Sequence, residues 1–179
     1  MKPVKTPELI LVSLIFQGVW LLAVLGQSRW QNALWVFLVI AVLWLWRYRK
    51  AVLLTGRRVL AMGLMIDGLN IVFGVLVFTT TGFPGWLAAL WVAFACYSGY
   101  LVPVLTKWPL PFVIMSGACS GMASYYAGMK LSAVGFSYSL PLTLSILWLE
   151  WGVIIYAVLK IYADQSDSLC VDERRQSAD

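Results

Sequence analysis

Long apolar runs alternate with short polar or helix-breaking stretches along this chain. A membrane-crossing helix needs about 20 apolar residues, with a range of ~17–25. Six runs approach or reach that length, at residues 9–26, 30–46, 59–81, 86–105, 112–128 and 140–162. GFPG at 82–85 separates the third from the fourth, and KWPLP at 107–111 separates the fourth from the fifth. Ser139 stands where a helix N-cap belongs, and Pro141 suits the first turn of the sixth helix. The pattern predicts an all-α polytopic membrane protein, a six-transmembrane-helix bundle over residues 1–163. The remaining tail, 164–179, is polar and mixed in charge, and is expected to be disordered. The opening MKPVKTPELILVSLIFQGVW has an apolar stretch too long for a signal-peptide core, and no A-x-A site follows. It is expected to remain as the first helix.

Composition agrees. The 179 residues are 61% hydrophobic and 12% charged, against about half and a quarter in soluble domains. Lipid is the solvent that such a surface needs. Charge then orients the bundle. With six crossings both termini share a side, and that side holds eleven of the thirteen Lys and Arg residues, leaving Arg29 and Lys130 opposite. The positive-inside rule puts both termini in the cytoplasm. Basic residues placed between apolar runs are not a nucleic-acid footprint, so no nucleic-acid partner is expected. The densest cluster, Arg47, Arg49, Lys50, Arg57 and Arg58, is a topology signal and a candidate contact for anionic lipid headgroups. Trp30, Trp44, Trp46, Trp86 and Trp108 fall near span ends, as an aromatic belt would. Trp20, Trp91, Trp148 and Trp151 lie deeper and are read as helix packing.

There is no histidine, which excludes His-ligated metal sites and every Ser-His or Cys-His triad. The three cysteines, Cys96, Cys119 and Cys170, form no CxxC pair and are odd in number. No metal, cofactor or catalytic residue is therefore expected, and the chain is not read as an enzyme.

The informative chemistry is acidic. Asp67 and Glu150 are the acids inside predicted spans, and a central Asp costs roughly 2.5–3.5 kcal/mol to insert. Counted from the ends of their spans at 1.5 Å per residue, both lie about 12–15 Å deep, so they can meet. No Lys or Arg lies at their depth to balance them, Lys160 standing at the cytoplasmic end of the sixth run. Three states are open: both protonated, one proton shared, or a cation held between them. Asn70 lies one turn from Asp67 on the same face and serves any of these. Asp67, Asn70 and Glu150 are thus the candidate ligand-binding residues, with hydrogen-bonded helix stapling as the plainer reading. The segments 64–76 and 147–159 also align without gaps, Asp67 on Glu150, as the last helices of an inverted repeat would.

The fifth run carries small residues at every fourth position, Ser116, Ser120, Ser124 and Gly128, beside a GxxxG at Gly117 and Gly121. Such a face lets backbones approach closely, within the chain or in a homodimer.

Four stretches together carry a resemblance: the segment around Asp67, PGWLAALWVAFA (84–95), SGMASYYAGMKLSAVGF (120–136) and LSILWLEW (144–151). In order and spacing the chain resembles a family of bacterial inner-membrane proteins catalogued as domain of unknown function 2878, over about residues 8–163. The resemblance implies a multi-pass protein of the bacterial inner (plasma) membrane and, loosely, an association with lipid-modifying pathways; it supplies no reaction. Relatives often carry a histidine late in the fourth helix, where this chain reads CYSGYLVP (96–103). The expected function is binding or moving a small molecule, lipid or cation at the intramembrane acids. The alternative is an accessory or scaffold subunit of a membrane lipid-metabolism enzyme. The expected partners are the bilayer itself and, through the small-residue face, another membrane protein or a second copy.

Overall fold

A computed structural model describes the backbone of residues 5–176 and the side chains of residues 5–164. Lys2 and residues 177–179 lie outside it, as do the side chains of Cys170, Arg174 and Arg175. The described residues form five helices: α1 (Thr6–Tyr48), α2 (Lys50–Val72), α3 (Gly85–Leu105), α4 (Leu110–Lys130) and α5 (Leu140–Gln176). Three are long and apolar enough to cross a membrane: α1, α3 and the Leu140–Asp164 part of α5. In α2 the charges of Arg57, Arg58 and Asp67 interrupt the apolar run, and in α4 the serines and glycines dilute it.

The longest helix is not straight. Gln27 leaves helical geometry at φ 43°, ψ −130°. A straight helix would hold Glu8 and Arg49 about 60 Å apart at 1.5 Å per residue. They form an ion pair of 2.6 Å. Residues 6–26 and 28–48 are therefore two antiparallel arms folded at Gln27, which is where the polar stretch GQSR falls. The Gln27 amide ties this corner to the rest of the bundle by donating to the Ser132 carbonyl at 3.3 Å.

Two expected boundaries move. The third run, expected at 59–81, is α2 and runs from Lys50 to Val72. Its start is earlier because Arg57 and Arg58 are good helix formers, so the helix passes through them. Its end is earlier because Gly74, at φ +71°, turns the chain, and the β-branched stretch after it forms bends around one bridge residue rather than helix. The tail also differs: α5 continues to Gln176, through most of the stretch expected to be disordered. No Gly or Pro stops it, and its Glu, Arg and Gln residues favour helix.

The connections after α2 and after α4 open with the same turn. After α2, Phe73, Gly74 and Val75 donate to the carbonyls of Leu69, Ile71 and Asn70. After α4, Leu131, Ser132 and Ala133 donate to those of Ala127, Met129 and Gly128. Ser132 takes φ +59° where Gly74 takes +71°. Val77 and Gly135 then pair with each other as an isolated antiparallel bridge, exchanging bonds of 2.8 and 2.7 Å. Each of these correspondences is a shift of 58 residues. The ends of α2 and α4 thus share one turn geometry.

The core is built around α3, with Trp86, Ala89, Trp91, Ala93 and Ala95 buried against α1 and α2. Small residues make the contacts close: a β-carbon at Gly56 would stand 2.9 Å from the Ala95 carbonyl. The outside is apolar, with Leu14, Val36, Ile40, Val72, Leu149 and Val153 all exposed. A surface of that kind suits lipid. Trp30, Trp44, Trp46 and Trp108 are exposed as a belt requires, whereas Trp86 is buried against Phe78. The 73–84 connection folds over it, so Trp86 belongs to the core.

Candidate functional site

Asp67 is 2% exposed and Asn70 3%. Both lie in the last two turns of α2, so each can reach a different neighbour. Asp67 accepts a hydrogen bond from Trp91 Nε1 of α3 at 2.6 Å, and the Tyr125 hydroxyl of α4 stands 2.7 Å from both its oxygens. Asn70 turns to α5 and donates to Glu150 Oε2 at 2.8 Å. One turn of α2 thus fastens α3, α4 and α5. The two acids come together at this level through Asn70, and among the described residues no bond joins them directly. No group of three His, Cys, Asp or Glu occurs among the described residues.

Sequence reasoning singled out the acid but not its donors. Trp91 was assigned to packing, and packing is part of its role, since its ring stacks on Trp151 at 5.8 Å and 11°. Its indole N–H was the available signal, because a buried Trp usually finds an acceptor. Tyr125 carried the same signal in its hydroxyl.

Asp67 does not open onto free space. Trp91 and Tyr125 stand against it and also line a half-open chamber of about 80 Å³, together with Trp20, Phe94 and Trp151. Trp20 reaches across from α1 and donates to Ser124 Oγ of α4 at 2.8 Å. Beside the chamber lies a groove of about 560 Å³ between the first arm of α1 and α4, floored by α3 and α5. Phe16, Trp20, Phe94, Ser124 and Trp151 line both spaces. Among the described residues Trp20 to Ser124 bridges α1 and α4, and Gln27 to Ser132 ties α1 to the turn after α4.

The small residues of α4 divide between two tasks. A β-carbon at Gly117 would stand 2.5 Å from Ile155, and one at Gly121 would collide with the Trp151 ring, so the GxxxG packs on α5. Gly128 faces Val134 more loosely, at 3.5 Å. Ser116 and Ser120 turn their hydroxyls back to the carbonyls of Val113 and Ser116, leaving a low, smooth groove wall.

The basic cluster is also divided. Arg49 is half-buried, paired with Glu8 and lying over the Tyr100 ring at 4.9 Å, so it locks the start of α1 to the end of α3. Arg47 lies over Tyr48 and Lys50 over Trp46, both at the surface. Arg57 and Arg58 are exposed.

The fold therefore defines an all-helical protein with three helices long and apolar enough to cross a membrane, built around a buried acid and an aromatic groove. The chain belongs to the family described as protein of unknown function (DUF2878), whose model matches residues 9–157. That span includes the lining of the chamber and groove, and stops before Lys160. No curated protein and no solved structure gives a match.

Proposed function

We propose that this chain is a six-crossing membrane protein that holds a lipid-like molecule in the groove between α1 and α4. The two arms of α1 supply two crossings and α2 to α5 supply four. The ends of the bundle differ in charge. Arg47, Arg49 and Lys50 gather where α1 meets α2, with Lys107 after α3, while Arg29 and Lys130 stand at the Gln27 corner and the end of α4. The positive-inside rule makes the first end cytoplasmic, together with both termini. The family resemblance suggests the bacterial inner membrane.

The groove carries the reading. It is lined by aromatic and small residues, and about 560 Å³ suits a small-molecule site. Beside it stands the chamber whose Trp91 and Tyr125 rings are held by Asp67. In this reading the acid positions Trp91 and Tyr125 and does not touch the ligand. Nothing favours the scaffold alternative, because the GxxxG that would meet a partner is occupied by α5.

Native mass spectrometry of the gently solubilised protein tests this, with Ser120→Trp to fill the groove from an exposed position and Asp67→Asn/Glu150→Gln to neutralise the acids. A co-purifying lipid-like species retained by the acid variant and lost from Ser120→Trp is expected. Loss from the acid variant alone would return the site to the acids, and equal retention in all three would refute the groove.

A further inference from the structure

We propose, resting on the groove reading above, that the occupant is a long-chain fatty acid, with its carboxylate against Lys160 and its chain running along α4 into the aromatic chamber. Where α3 and α4 meet, Leu105 and Val113 line the groove and also a third space of about 240 Å³, bounded by Thr106, Trp108, Tyr156 and Lys160. Neighbouring spaces share lining residues and follow one another along α4. They change character along the way, from one cation at the mouth, through small residues, to a half-open ring of aromatic side chains.

Length argues for a chain. From Val113 at the mouth to Gly128 at the chamber, α4 rises about 22 Å at 1.5 Å per residue. Half of a bilayer's hydrocarbon core is only about 15 Å. An occupant that fills this path is extended and crosses the midplane. The chamber, at about 80 Å³, is the smallest of the three spaces and stands at the end of this path.

Charge argues for the head. Lys160 is exposed, and its ammonium lies over the Tyr156 ring at 5.8 Å with no ion pair among the described residues. Lys107 flanks Thr106 and Trp108 of the same mouth. Asp164, one turn beyond Lys160, is the nearby acid in sequence and does not line the space. A singly charged carboxylate matches one ammonium. A phosphate more often draws the bidentate fork of an arginine, and no arginine lines this mouth.

The test titrates the full-length protein in a detergent without acyl chains against oleate, oleyl alcohol and oleoyl lysophosphatidate in separate series. Occupancy is read by native mass spectrometry. Oleate is expected to bind about fivefold to tenfold more tightly than oleyl alcohol, as one partly exposed charge pair allows. Lys160→Met keeps the stem and removes the charge. It should erase that preference and leave oleyl alcohol binding unchanged. Equal affinity for oleate and the alcohol in the wild type, or a preference that survives Lys160→Met, overturns the head-group assignment and leaves the groove intact. Tighter binding of lysophosphatidate overturns the carboxylate. Failure of every probe, or binding unaffected by Ser120→Trp, overturns the groove reading itself.

Discussion

Asp67→Ala tests the centre of the bundle. The substitution strands two donors, the Trp91 indole N–H and the Tyr125 hydroxyl. A stranded buried donor in a soluble protein costs ~1–3 kcal/mol, which puts the pair at roughly 2–6 kcal/mol. Side-chain bonds inside membranes measure less, ~0.6 kcal/mol on average and up to ~1.7, because the unfolded chain in the membrane also finds partners. Three short contacts to a single acid belong toward the upper end of that scale, so a loss of about 2–3 kcal/mol is expected. Asp67→Asn should behave differently. Its Oδ1 can accept from Trp91 and its amide can donate to the Tyr125 oxygen, so the loss should stay below about 1 kcal/mol. Tyr125→Phe placed on the alanine background removes one stranded donor. The double variant should therefore be less damaged than the two single losses summed. Reversible unfolding in mixed micelles, followed by tryptophan fluorescence, measures wild type, the two Asp67 variants, Tyr125→Phe and the double variant. An alanine variant within about 0.5 kcal/mol of wild type, or an asparagine variant as damaged as the alanine one, would refute the stapling role assigned to the acid.

Gly121→Leu should cost at least ~1–3 kcal/mol through overpacking against Trp151, seen as lost monodispersity or lowered thermal stability. Gly68→Ala, with nothing within 4 Å of the added carbon, should not lower stability by the same assay. Glu8→Gln should cost less than ~1 kcal/mol, because the pair with Arg49 is partly exposed at 31% and 20%, and the loss should shrink in high salt. In a variant without its native cysteines, Arg29→Cys and Lys50→Cys should react with an impermeant maleimide from opposite faces of sealed vesicles; reaction from the same face would refute the six-crossing orientation.

Apolar runs and breakers made the helices legible, and GQSR made the corner at Gln27 legible as a break between two runs. They could not show that the arms stay joined in one folded helix, since that depends on Glu8 meeting Arg49 across the hairpin. The 59–81 run misled because apolar content does not tell a helix from a non-helical segment. FGVLVFTTT is apolar or β-branched, and Gly74 decides the matter. Asp67 was visible as an expensive residue and Asn70 as its neighbour. Trp91 and Tyr125 come from other helices, so only the need of a buried acid for donors pointed toward them. The groove was invisible for a further reason: it exists because α1 and α4 stand apart, and no local pattern records a gap between helices.

The shared turn after α2 and α4 has one more consequence. The shift of 58 residues that carries Val77 onto Gly135 also carries Asp67 onto Tyr125. The central bond therefore joins two positions that stand at the same distance before the shared turn. Two identical hairpins assembled this way would set like against like: two aspartates would repel, and two tyrosines would offer no carboxylate to Trp91. Making one copy an acceptor and the other a donor removes that conflict. It also makes the halves distinguishable, so each hairpin has one seat in the assembly and the two cannot be exchanged.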